Sequence, residues 1–440
     1  MKAQSTPLLP TAANHGVFLT QKNSIKTTRL ANGARIITEV VDQVYSASIG
    51  VWVDVGSQDE TPENNGVSHC LEHMLFKGTK TRTAQDIAQE IEDVGGTLGA
   101  STGKENTCFY GRVLGDELPI AVDLTFDMLL NATLTQEDLD LERQVILEEI
   151  KMYEDDPEDF AHETLILNVW PEHPLSRPIT GTGESVSGIT DKMLRRHVDD
   201  YYTPERFIIS IAGNFDEAAT IKQITDLIEK MPAGKQERHI EPTRVKKYSA
   251  VRHKDNEQAH ISIATDGVGI SDDRKYAVAI LDLCLGGNVS SRLFQEVREK
   301  RGLVYTINSF RESHQDGGLF GVYAGCSPKH VKQVLSLISK ELKRTKKEGF
   351  SKEEIARAKT QLRSELLLGL ESMRSRTSRN AYSELYFGRQ MTVDEICAEV
   401  ERVDGEAVRD LANQLLLSDT ISFVVVGPRP ELDETYELTC

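Results

Sequence analysis

No run of apolar residues in this chain of 440 residues approaches the roughly 20 needed to cross a bilayer as a helix, so no membrane span is expected. Cysteine is scarce and scattered. The six thiols, at 70, 108, 284, 326, 397 and 440, form no C-x-x-C pair and read as reduced side chains rather than a disulfide framework. The first 24 residues lack an apolar segment behind a basic one, which speaks against a secretory signal. They also lack acidic residues and carry Ser and Thr, as transit peptides do, yet arginine is absent before Arg29. Residues 1–24 are therefore expected to form a flexible tail on a cytoplasmic, bacterial-type protein, with the mitochondrial matrix as the alternative. Positive charge is in deficit: 51 Lys and Arg against 69 Asp and Glu leave −18. That balance disfavours nucleic acid as a partner and, where it lined a substrate chamber, would favour basic peptides.

What is present is more telling. Residues 69–73 read His69-Cys70-Leu71-Glu72-His73 in a stretch with nothing to stop a helix. Positions i and i+4 of a helix share a face, so His69 and His73 can offer two imidazoles to one metal ion. Glu72 lies about 100° round from His73, where a carboxylate can reach a water at that ion. The order H-x-x-E-H is the inverzincin signature. A catalytic zinc needs three protein ligands and an open position. Downstream, Thr135 to Asp138 form a helix start, followed by Glu142, Val145, Glu149 and Tyr153 on one face. Two acids on an otherwise apolar stripe are costly to bury without partners. A metal would offset that cost for Glu149, and a ligand imidazole N–H would do so for Glu142. On spacing alone, the same glutamates could coat an exposed acidic helix, and for Glu149 taken by itself that reading is favoured.

His69-x-x-Glu72-His73 followed at long range by Glu142-x6-Glu149 resembles the pitrilysin/insulinase family of zinc peptidases, closest to its short processing-peptidase-type chains. The likeness extends through Leu30-Ala31-Asn32-Gly33, His73-Met74-Leu75-Phe76-Lys77-Gly78-Thr79, His173-Pro174-Leu175 and Ser290-Ser291-Arg292-Leu293-Phe294. It implies one Zn2+ per chain held by His69, His73 and Glu149, with Glu72 as general base and Glu142 in support. It further implies that Arg298 and Tyr305 help bind substrate and stabilise the reaction oxygen. A peptide strand would add to the edge 97–102, where Gly99-Ala100 stands in place of the asparagine-alanine common among relatives. Two chains would close as a clamshell homodimer, each supplying Arg298 and Tyr305 to the other. The function so implied is a zinc endopeptidase acting on unfolded peptides or leader segments. The alternative is a non-catalytic or partner-dependent scaffold subunit of the same family.

The chain is also built twice. Segments 87–91, 109–114, 134–138 and 207–213 reappear at 293–297, 319–324, 350–354 and 421–427, an offset of about 210 residues. Asn32-Gly33 marks a hairpin between 27–30 and 35–40, and helical patterns occupy 66–77, 84–94, 117–130 and 136–154. The expected class is α+β: two homologous domains, each a largely antiparallel sheet with helices packed on one face. The expected division is a metal-bearing domain at 25–231, a linker at 232–247 and a second domain at 248–440. The counterpart of the H-x-x-E-H helix, residues 276–283, has no histidine. The second half should therefore hold no metal.

Overall fold

Period-two apolar patterns, bounded by turn residues, become strands because each can bury one face while its backbone pairs sideways. In the first half these are β1 (Lys26–Arg29), β2 (Arg35–Val40), β3 (Ser46–Val53), β4 (Thr97–Thr102), β5 (Thr107–Leu114) and β6 (Phe207–Gly213). They form one sheet in the order β1-β2-β6-β3-β5-β4, in which only β2 and β6 run parallel. The second half repeats the plan with β7 (Ser249–His253), β8 (Ala259–Asp266), β9 (Val304–His314), β10 (Gly317–Cys326) and β11 (Ser422–Gly427). Their order is β7-β11-β8-β10-β9, with β7 and β11 the parallel pair. The computed structural model describes residues 25–440 except 233, 235–237, 239–241, 316, 429–431 and 433–435. The expected tail at 1–24 and part of the expected linker lie outside the described residues. Among the described residues no helix is long and apolar enough to cross a membrane.

The α+β expectation holds, and the four helical patterns become Val67–Leu75, Ala84–Asp93, Leu118–Asn131 and Gln136–Asp155. These pack against one face of the first sheet around Ile36, Val51, Leu71, Phe109 and Phe126. The periodicity did not reveal that the opposite face of each sheet is covered by a helix from the other half. Helix Pro157–Val169 lays Ala161, Leu165 and Val169 on Ala264, Leu319, Val424 and Val426 of the second sheet. Helix Met373–Phe387 returns the favour, packing Ala381 against Ile37, Trp52 and Ile208 of the first. Strand β6 shows why cover is needed: all seven residues are buried, as in a strand apolar on both faces.

Polar contacts complete the exchange. Glu39, 2 % exposed, accepts a hydrogen bond from Asn380 Nδ2 at 2.8 Å and pairs with Arg376. Glu105, in the β4–β5 turn, accepts from the Gln315 backbone N–H at 2.8 Å and from the Tyr386 hydroxyl at 3.0 Å. The hairpin that ends in edge strand β4 is thereby held by the second half.

Candidate metal centre

Helix Val67–Leu75 buries Val67, Cys70, Leu71 and Met74 in the core, which turns His69, Glu72 and His73 the other way. Its start is unusual. Gly66 has φ +92°, and a Cβ there would lie 2.7 Å from the Thr180 carbonyl oxygen. No side chain at that position caps the helix. The free N–H groups are met instead by Glu60, whose carboxylate accepts from Gly66 N at 2.7 Å, Ser68 N at 2.8 Å and Asn65 Nδ2 at 2.8 Å. An anion at a helix N-terminus is also favoured by the macrodipole. Burial pushes the Glu60 carboxyl up to about 7 against the pull of these donors. Behind the helix, Ser68 Oγ lies 3.3 Å from His197 Nε2.

The second contributor, helix Gln136–Asp155, begins where the Thr135 side chain accepts from Asp138 N. Its Leu139, Ile146 and Ile150 are buried and bring Glu142 and Glu149 beneath the two histidines. Glu149 Oε2 is 3.7 Å from His69 Nε2 and 3.7 Å from His73 Nε2. Donor atoms on a tetrahedral zinc lie about 3.4 Å apart, so the three converge at a spacing that suits one such ion. Among the described residues this is the group of His, Cys, Asp and Glu able to hold a metal, with ligand atoms all within 4.8 Å of one another. Burial, helped by neighbouring His73, holds the His69 imidazole down to about 4, so it is neutral near pH 7, as a metal ligand must be. His73 Nδ1 lies 3.1 Å from Glu142 Oε2, and Lys77 Nζ is 2.5 Å from Glu142 Oε1. Glu142 thus orients one imidazole and is itself balanced by an ammonium. The His69 Nδ1 atom is buried without a hydrogen-bond partner among the described residues.

Glu72 stands beside the cluster, outside the ligand triad. The Thr102 hydroxyl of β4 donates to Glu72 Oε2 at 2.6 Å, and burial raises the Glu72 carboxyl above the usual range. His69, Glu72 and Thr102 open onto a cavity of about 600 Å³, whose wall includes Tyr153, Glu163, Ile179 and Glu312. The arrangement leaves a carboxylate and open volume next to three convergent donors, which suits metal-assisted hydrolysis.

The remaining expected residues divide. Arg298 and Tyr305 do meet: the guanidinium lies 5.5 Å from the Tyr305 ring centroid and 4.6 Å from that of Phe294. Arg298 sits in a π-helical turn, Phe294–Glu299, where the sequence suggested an ordinary helix end. Tyr305 is 76 % exposed on edge strand β9, and neither residue lines the cavity beside the metal cluster of its own chain. Ala100 packs toward the core, whereas Gly99 faces the other side of the sheet, opposite Tyr110. In the second half, Glu365 stands where Glu149 would, and Gln361 donates to it at 3.0 Å. Nearby Asp282 accepts from Ser309 Oγ at 2.5 Å and has Arg311 Nε at 3.7 Å, so a guanidinium supplies the positive charge there. Sequence reading missed Glu60, Thr102, Lys77 and Glu105. Thr102 and Lys77 carried a signal, since both lie within segments already assigned to the site; Glu60 carried none, because a turn rather than a period brings it back.

Glu60 gives a direct expectation. Glu60→Ala strands two buried backbone donors, Gly66 N and Ser68 N, each worth about 1–3 kcal/mol. It should lower Tm in a thermal melt and weaken zinc binding in a competition titration. An unchanged melt and affinity would remove Glu60 from the support of the helix.

Comparison with known proteins gives a consistent picture. Residues 35–183 match the family model described as insulinase (peptidase family M16), and residues 188–362 match the peptidase M16 inactive domain. An uncharacterized zinc protease of Streptomyces coelicolor is 40 % identical over 94 % of this chain and 91 % of its own. One from Bacillus subtilis is 39 % identical over 90 % of this chain and 96 % of its own. Among solved structures, a protease from Helicobacter pylori superposes with a TM-score of 0.86 at 20 % identity, over 92 % of this chain and 100 % of its own. A peptidase M16 inactive domain from Pseudomonas fluorescens gives 0.85 at 21 %, over 92 % and 98 %. These last two bear on the fold.

Proposed function

Since the chain belongs to the insulinase (M16) peptidase family, we propose that it is a zinc endopeptidase that cleaves unfolded peptides or leader segments. The carrying observation is the convergence of His69, His73 and Glu149 beside the carboxylate of Glu72. His69, His73 and Glu149 would hold a zinc ion, which would supply Lewis acidity for polarising a scissile carbonyl and acidifying the attacking water. Glu72 takes the proton from that water and passes it to the leaving nitrogen. Its burial favours this role, because a carboxylate with raised affinity for protons is a better base. Thr102 fixes its rotamer. Glu142 holds the His73 ring so that Nε2 faces Glu149. The exposed edge of β4 offers free backbone groups to an extended peptide, which binds by strand addition with little regard to sequence.

The same reading assigns Arg298 and Tyr305 to a partner's site. Their donors suit a peptide carbonyl or an oxyanion, and the exposure of Tyr305, with both residues away from the metal cavity of their own chain, supports supply in trans within a homodimer. It divides the chain into a metal-bearing domain, 25–231, and a metal-free one, 248–440, and places the protein in the cytoplasm. Metal analysis of the purified chain should return about one zinc. Chelation should stop cleavage of a quenched peptide, and added zinc should restore it. Full activity in chelated, metal-free protein would overturn the proposal.

A further inference from the structure

Across β4 from the metal lies a second cavity of about 770 Å³, bounded by β3, β4, β5 and the helix Met373–Phe387 that the second half lays over this face. Strand register decides which residues reach it. Thr97, Gly99 and Ser101 pair with Arg112, Tyr110 and Cys108, and of these all but Gly99, which the Tyr110 side chain covers, line the cavity. Leu98, Ala100 and Thr102 point the opposite way, into the core and toward Glu72. Ser101 borders both cavities.

Three features of this wall are unexplained by hydrolysis. A Cβ on Gly99 would lie 2.9 Å from the Tyr110 hydroxyl and 3.0 Å from its ring, so the phenol lies across the strand in the space that glycine leaves at position 99. The Arg374 guanidinium then rests on that ring, 4.1 Å from its centroid. Such stacking fixes a cation in place without neutralising it. Arg112 borders the same cavity, and among the described residues neither guanidinium has a carboxylate at ion-pair distance; Glu371 is the acid in the wall. This is a local excess of positive charge in a chain of net charge −18. Finally, Ser48, 2 % exposed, borders the cavity with its Oγ unpartnered.

We propose that this cavity is a peptide subsite for a carboxylate, formed by Arg374 on Tyr110 with Arg112 and Ser48, made possible by Gly99. The inference rests on reading β4 as the edge to which the peptide adds. Side chains of an added strand alternate between the two faces of the sheet. One residue therefore enters the cavity at Glu72, and its neighbour enters this one. A carboxylate arriving there meets a guanidinium fork already oriented, which is the geometry that makes Arg–carboxylate pairing strong.

The test uses the zinc-loaded full-length chain carrying Glu72→Gln, so that bound peptides are not consumed. Labelled peptides with Glu or Gln scanned through each position, with free or amidated C-termini, are measured by fluorescence anisotropy. One or more Glu peptides should bind about ten- to a hundredfold tighter than their Gln counterparts, as expected for a hydrogen bond between charged groups. Adding Arg374→Gln should bring that ratio close to one, and Arg374→Glu should turn the preference toward Lys. Gly99→Asn, which displaces Tyr110, should weaken the discrimination as well. A preference that follows only the free C-terminus would identify the terminal carboxylate as the occupant. A Glu/Gln ratio unmoved by both Arg374 substitutions, or no preference at all, overturns the subsite. The parent protein's cleavage of neutral peptides is assayed in parallel. Arg374-dependent binding without any cleavage would sink the peptidase reading alone, and cleavage without charge preference would sink the subsite alone.

Discussion

Glu72→Gln is expected to lower kcat/KM on a quenched peptide by about 10²- to 10⁴-fold, the usual worth of a positioned general base, while zinc content stays at about one per chain. Glutamine has nearly the shape of glutamate, and its carbonyl oxygen can still accept the Thr102 hydroxyl that now holds Glu72 at 2.6 Å. What it loses is the capacity to take a proton. The metal should be indifferent, because the convergent donors are His69, His73 and Glu149. Glu149→Gln makes the contrast: it weakens a ligand, so metal and activity should fall together. The pair of variants separates base from ligand by two independent readouts, metal content and turnover. A Glu72→Gln protein as active as its parent would end the base assignment. It would also strengthen the scaffold alternative if the parent itself were inert. Loss of zinc from Glu72→Gln would move that residue into the metal's own shell.

The parts of this site that were legible in the sequence are those governed by a local period. His69 and His73 one turn apart, and Glu142 and Glu149 two turns apart, are fixed by helix geometry alone, and the structure brings all four together. The partner helix Pro157–Val169 was not anticipated, although Asp156 followed by Pro157 is a strong start signal: the Asp156 side chain accepts from Glu158 N and Asp159 N. Its apolar residues serve two surfaces, Ala161 and Leu165 on the second sheet and Leu167 beside the metal cavity, so no single stripe stands out. Glu60 and the pairing of Gly99 with Tyr110 depend on contacts that no spacing rule encodes. Gly99 illustrates the limit well. In sequence it is a lost side chain, whereas in the fold it is the space that admits a tyrosine and its stacked arginine.

Mixing two inactive variants is the experiment with the largest return on the quaternary proposal. Arg298→Ala and Glu72→Gln, each nearly inactive alone, should regain about a quarter of parental activity when combined in equal amounts and allowed to exchange subunits. The reasoning is geometric. If each site takes its base from one chain and its arginine from the other, half of the dimers formed at random are mixed. In a mixed dimer one site pairs an intact Glu72 with an intact Arg298, and the other lacks both. The structure motivates the arrangement because Arg298 and Tyr305 stack on each other yet border no part of the metal cavity in their own chain. Tyr305, moreover, leaves 76 % of its surface exposed on an edge strand, where a partner chain can reach it. A site completed within one chain predicts no recovery at any mixing ratio. Sedimentation of the same mixtures separates the two explanations for silence: monomers would refute the dimer itself, and mixed dimers without activity would refute the shared site.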